Sequence, residues 1–225
     1  MKKLRRAFAL FTAVIIAAAL LCSCTHLKKF NYDADGILTG SGAGNGYRYA
    51  PLGYEPVSVG KEYALIDNEM QEVLYLIGDE DPTQWLTTEY VGSATMVYYS
   101  TDIELPNLRE MAPEKVLFCD RGDTPNCFYT IGEADGEKAL VEKLVELLSD
   151  GEANEGIWPR SDINESYSLK FYSPDWTAIY YNVTYADCAG GNFIYDRVTG
   201  RCVNVGDILE KYYENTYDES ADGAV

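Results

Sequence analysis

Histidine is almost absent from this chain of 225 residues, with His26 the only one. That removes Ser-His-Asp and Cys-His catalysis, and the usual histidine-containing zinc sites, from the body of the protein. Basic charge is also scarce: 18 Lys and Arg face 36 Asp and Glu, for a formal net charge of −18. A surface of that sign repels phosphate backbones, which excludes nucleic acid as a partner. There is no G-x-S-x-G, no phosphate-cradling Gly-Lys-Ser/Thr loop and no dinucleotide fingerprint, so no cofactor is expected. A glycosidase needs only two positioned carboxylates, yet among 36 acids no pair can be chosen from the sequence. Beyond residue 24 no apolar run approaches the ~20 residues of a membrane-spanning helix.

What the chain does have begins at its N-terminus. Lys2, Lys3, Arg5 and Arg6 precede a run over residues 7–21 in which only Thr12 is polar, and the run ends Leu21-Cys22-Ser23-Cys24. A basic start, a short apolar stretch and a small residue before the cut form a secretory signal. With its terminal cysteine the segment resembles a bacterial prolipoprotein signal with its lipobox. Cys24 has the aliphatic Leu21 three residues before it and the small Ser23 directly before it. For Cys22 the bulky Leu21 fills the position that needs a small side chain. The resemblance implies a signal peptide over residues 1–23 and a lipid on Cys24. It also implies attachment to the membrane through that lipid anchor, at the extracytoplasmic face of the cell membrane. Four basic residues and no acidic ones precede Cys24, leaving 14 against 36 and a net charge of −22 in the mature chain. His26, Lys28 and Lys29 beside the anchor suit anionic headgroups, at about 1 kcal/mol per basic group, or equally a solvated tether.

Cys119, Cys127, Cys188 and Cys202 remain, an even number in an exported domain. The local pairs Cys119–Cys127 and Cys188–Cys202 each bracket turn residues, so two disulfides are expected, with crossed pairing as the alternative. Zinc is disfavoured because the C-x-x-C spacing is lacking.

Glycines at 36, 40, 42, 44 and 46 mark residues 24–46 as a flexible Gly-rich tether. Residues 47–215 read as an α+β domain, antiparallel sheet with two to four helices packed on one face, with a break into two subdomains near 133–136. Residues 216–225 read as a disordered acidic tail. Apolar runs at 63–66 and 72–77 predict one hairpin, and 115–119 with 127–131 a second. Asp81, Pro82 and Gln84 predict a helix start. Asp135 predicts the cap of a helix reaching 148, with Leu140, Val141, Leu144, Leu147 and Leu148 on its apolar face. Alternation over 167–172 and 179–185, then strands at 192–196 and 201–205, predict a meander followed by a helix from Asp207.

Three stretches invite a functional reading. Asn31, Asp33, Asp35 and Gly36 resemble the opening of an EF-hand loop, but Gly42 stands where the bidentate glutamate belongs, so no metal is expected. Arg121-Gly122-Asp123, between Cys119 and Cys127, resembles the integrin-binding loop of adhesive proteins; ordinary turn chemistry accounts for the same residues. Lys170, Tyr172, Tyr180 and Asn182 share a strand face suited to stacking on a sugar or gripping a peptide, or to being covered by the first half of the body. The expected function is a non-catalytic binding or partner-interaction domain at the cell surface, with an unknown protein or glycan ligand. The alternatives are a carboxylate-based glycan-acting enzyme and, more remotely, an adhesin presenting the Arg-Gly-Asp loop.

Overall fold

Short runs with one or two inward apolar residues build the first half of the chain. β1 (Lys28–Tyr32) turns in only Phe30, β5 (Glu62–Ile66) turns in Ala64 and Ile66, and β6 (Val73–Tyr75) turns in Leu74. Leu38 of β2 (Leu38–Gly40), Tyr47 of β3 (Tyr47–Tyr49), Leu86 of β7 (Trp85–Thr88) and Tyr98 of β8 (Val97–Ser100) join them in one buried cluster. Strands this short gain most by curling round a shared core, which also removes exposed edges. Their order is β1-β2-β3-β8-β7-β6-β5, closed into a barrel by parallel pairing of β1 with β5. The computed structural model describes residues 27–41, 44–89, 95–121, 126–153 and 162–213. The signal segment, Cys24, His26, Gly122, Asp123 and the acidic tail lie outside them.

The second half forms an antiparallel sheet. It comprises β9 (Lys115–Cys119), β10 (Cys127–Ile131), β11 (Ile163–Tyr172), β12 (Ile179–Cys188), β13 (Gly191–Tyr195) and β14 (Cys202–Asn204), ordered β10-β9-β11-β12-β13-β14. A seventh strand, β4 (Tyr54–Pro56), comes from the first half and pairs with the part of β12 that β13 does not reach. Alternation places Leu169, Phe171, Ile179, Tyr181, Val183 and Tyr185 in one core, to which α2 (Lys138–Asp150) contributes Val141, Leu144 and Leu148. That core also takes in Trp85 and Val97 from the barrel wall, so barrel and sheet share it. Tyr54 fixes the crossover: its ring meets Tyr181 edge-on at 5.2 Å and its hydroxyl donates to Pro106 O at 2.7 Å.

The α+β expectation is overturned: the protein is mostly β. The described residues hold fourteen strands and three helices, and α1 (Leu108–Met111) and α3 (Glu210–Tyr213) are single turns. Asp81 does not start a helix. Its Oδ1 accepts from Thr83 N–H at 2.8 Å and Thr83 Oγ1 at 2.7 Å, forming a turn. Trp85, Thr87 and Thr88 then continue as β7, buried on both faces, where aromatic and β-branched residues favour strand. Asp135 is not the cap of α2; Glu137 holds that position, and its side chain makes no capping bond. Both predicted hairpins and the β11–β14 meander do form.

The tether expectation fails from Lys28 onward. β1 and β2 pair with Phe30 opposite Gly40, and a Cβ on Gly40 would stand 2.7 Å from the Phe30 ring. That glycine serves close packing, not flexibility. Asp33 closes the hairpin by accepting from the N–H groups of Asp35 and Ile37, both at 2.9 Å, so the EF-hand-like run is a turn. The architecture changes between β8 and β9, whereas 133–136 is the turn from β10 to α2.

Of the two expected disulfides one is present. Cys119 and Cys127 are directly opposed on β9 and β10 and are bonded. Cys188 and Cys202 are buried thiols. β13 runs between their strands, and two strand spacings of about 4.8 Å already exceed the ~7 Å between Cα atoms that a disulfide spans.

Candidate functional site

The four residues of the predicted ligand face do come together. Lys170 lies opposite Asn182 across β11 and β12, and the rings of Tyr172 and Tyr180 stand 6.1 Å apart. β4 places Glu55 directly opposite Tyr180. The Glu55 carboxylate accepts from Lys170 Nζ at 2.8 Å and from Asn182 Nδ2, while Asn182 Oδ1 accepts from Ser168 Oγ at 2.6 Å. With the Lys170 side chain only 13% exposed, its charge is engaged within the protein rather than offered to a ligand. This patch therefore ties β4 to the sheet, and only its tyrosine rings remain to contact anything else. The notch beside it, walled by Tyr49, Leu52, Met96 and Arg197, holds about 20 Å³, little more than one water.

A larger cleft of about 380 Å³ opens where the barrel meets the sheet. Two separate turns build it. On the barrel side, the Asp81 turn feeds Trp85 into β7, with Trp85 N–H donating to Asp81 O at 3.0 Å. On the sheet side, the loop between β11 and β12 presents Trp176. Ser173 Oγ accepts from Asp175 N–H at 3.2 Å, and Trp176 N–H donates to Ser173 O at 3.2 Å. The two indoles lie 6.3 Å apart with planes at 87°, forming a corner. Trp85 is nearly buried and makes the floor, while the half-buried Trp176 makes a wall. Thr177 Oγ1 bridges the seam by donating to Glu80 Oε1 at 2.5 Å.

Around this corner stand Glu80, Gln84, Glu104 and Asp175, with Ile103 beside them and, among the described residues, no Lys, Arg or His in the lining. Among the described residues no side chain pairs with the carboxylates of Glu104 or Asp175. Sequence reasoning missed this site because its tryptophans are 91 positions apart and the Asp81 segment was read as helix. The available signal was an acidic turn leading into each tryptophan, Asp81-Pro82-Thr83-Gln84-Trp85 and Asp175-Trp176.

The buried carboxylates have different work. Glu137 accepts on Oε1 from the hydroxyls of Tyr129 and Tyr212 at 3.1 and 3.0 Å, and on Oε2 from Gly132 and Ala134 N–H at 3.0 and 3.3 Å. Burial alone would raise its pKa, but these four donors outweigh burial and hold it below the usual carboxylate value. Asp196 accepts from the Tyr181 hydroxyl at 2.8 Å, Thr199 Oγ1 at 2.6 Å and Val198 N–H at 2.8 Å, closing the β13–β14 turn. Burial, with Asp196 adding to it, pushes the Tyr181 hydroxyl pKa up. Each group is saturated by donors that fix a loop. Arg121, the described part of the Arg-Gly-Asp stretch, donates to Ser166 Oγ at 3.3 Å.

No protein-family model, no curated protein and no solved structure matches this chain.

Proposed function

We propose that the chain is a lipid-anchored protein of the extracytoplasmic membrane face whose body binds a ligand at the seam between barrel and sheet. The N-terminal signal, with Leu21 and Ser23 ahead of Cys24, supports the anchor. The Trp85–Trp176 cleft carries the binding reading, because it combines aromatic walls with carboxylates that the fold leaves unengaged. The anchor also sets where that cleft works. β1 begins at Lys28, four residues after Cys24, and four extended residues reach only about 14 Å. A lipid on Cys24 then keeps the barrel against the headgroups, with the exposed Lys28 and Lys29 at that end.

A glycan-acting enzyme is the rival reading, favoured by the presence of Glu80, Glu104 and Asp175 with two tryptophans in one cleft. Metabolic labelling with a palmitate analogue tests the anchor: label should vanish in Cys24→Ser and persist in Cys22→Ser. The reverse pattern refutes the choice of cysteine, and no label in the wild type refutes the class. Turnover of a polysaccharide panel, abolished by Glu104→Gln or Asp175→Asn, would favour the enzyme over the binding module.

A further inference from the structure

We infer that the Trp85–Trp176 cleft takes a compact organic cation, a quaternary or primary ammonium group. This rests on the reading of the chain as a binding module and names the chemistry of its ligand. Three observations select the class. First, the lining holds the carboxylates of Glu80, Glu104 and Asp175 and, among the described residues, no basic side chain, so an anion meets negative charge and no counter-charge. Second, the acids do not form a tight cluster. Among the described residues no three acidic, cysteine or histidine side chains converge closely enough to ligate a metal ion. The charge therefore suits a cation larger than a bare metal. Third, the two indoles meet at 87° and 6.3 Å. Tryptophan has the strongest cation-attracting face of the side chains, and a methylated ammonium presents its charge over a surface that packs against such a corner.

A neutral sugar fits the same walls less well. Its hydroxyls need neutral donors as well as acceptors, and against three carboxylates the described lining side chains offer only Gln84, the two indole N–H groups and Thr177, the last already bonded to Glu80. Covering Glu104 and Asp175 with a neutral ligand would also desolvate charge without neutralising it. A cation removes that cost.

Titration of the full-length protein with choline, followed by the indole N–H resonances of Trp85 and Trp176, is the test. The neutral isostere 3,3-dimethyl-1-butanol, which replaces the quaternary nitrogen by carbon, is the control. Choline should shift both resonances saturably, and the isostere should bind about tenfold more weakly. Glu104→Gln combined with Asp175→Asn alters only exposed side chains, and should weaken choline by about tenfold while the spectrum elsewhere stays the same. Trp176→Phe should weaken it by a smaller factor, and Trp176→Ala by more. Equal binding of choline and its isostere, or choline binding unaffected by the acid pair, overturns the cation assignment. Saturable shifts of both indoles by glucose but not choline overturn it too, and leave the binding-module reading standing. Polysaccharide hydrolysis that needs Glu104 or Asp175 overturns the binding-module reading itself.

Discussion

Removing the Glu137 carboxylate tests whether buried charge in this protein is structural. Glu137 is 8% exposed and joins three elements: the β10–α2 turn through Gly132 and Ala134, β10 through Tyr129, and α3 through Tyr212. Glu137→Ala leaves the Tyr212 hydroxyl and two backbone N–H groups without their acceptor. Tyr129 is 39% exposed and recovers water. At 1–3 kcal/mol for each buried donor, reduced for the two partly wetted amides, the loss is about 3 kcal/mol. Glu137→Gln keeps the shape: its oxygen can face the amides and its amide can donate to the tyrosine oxygens. It forfeits charge assistance and should cost about 1 kcal/mol. The pH dependence has a definite sign. The folded pKa lies below the unfolded one, so the stability from ionised Glu137 is fully present above the unfolded value of about 4.3. It is lost as pH falls through the folded pKa. Urea unfolding of the full-length protein at pH 7 and at steps below pH 4.3 should show the wild type's advantage over Glu137→Gln narrowing towards acid. An advantage that stays constant with pH, or a Glu137→Ala variant within 0.5 kcal/mol of wild type, would refute the argument.

Gly40→Ala drives a methyl against the Phe30 ring and Lys29 O, each 2.7 Å from the added Cβ, and should cost about 2 kcal/mol in urea unfolding. A tether residue would show no change. Alkylation of denatured, unreduced protein should modify Cys188 and Cys202 and spare Cys119 and Cys127, as read by peptide mapping; a peptide joining Cys188 to Cys202 would contradict the sheet register. Lys170→Ala leaves the Glu55 carboxylate without its counter-charge, held by Asn182 alone, and should destabilise by about 2 kcal/mol, whereas Lys170→Met with Glu55→Leu should recover most of that loss in thermal unfolding.

Period-two alternation made the second sheet legible. Tyr167, Leu169 and Phe171 on one strand and Ile179, Tyr181, Val183 and Tyr185 on the next announce both the strands and the face they bury. The barrel was harder for a physical reason. Its strands run three to five residues and several bury a single side chain, so β1 presents Phe30 between charged and polar neighbours and carries no alternation. Glycine then misled in the same stretch. Flexible linkers and tight barrel walls both use glycine, and only the position of Gly40 across from Phe30 separates the two. At Asp81 the local signal was real but ambiguous: an aspartate that accepts from the N–H two residues on opens a turn as readily as a helix. The four residues downstream, buried on both faces, decide for strand.

The candidate site depends on an event that no local pattern encodes, the departure of β4 from the barrel. Its neighbours β3 and β5 pair within the barrel, while Tyr54, Glu55 and Pro56 pair with β12. That exchange is held by groups over a hundred residues apart: Lys170 and Asn182 on Glu55, and Tyr181 against Tyr54. Because β4 holds the start of β12 beside the barrel, the loop preceding β12 is brought over β7, and Trp176 reaches Trp85. The patch read from sequence as a ligand face is thus the clasp that positions a different site. Loosening it makes a separable claim. In Lys170→Ala the Trp85 and Trp176 indole resonances should move without any ligand present, although Lys170 is not among the residues lining the cleft. Indoles unmoved by loss of the clasp would show that the Thr177–Glu80 bond and the shared core hold the seam without β4.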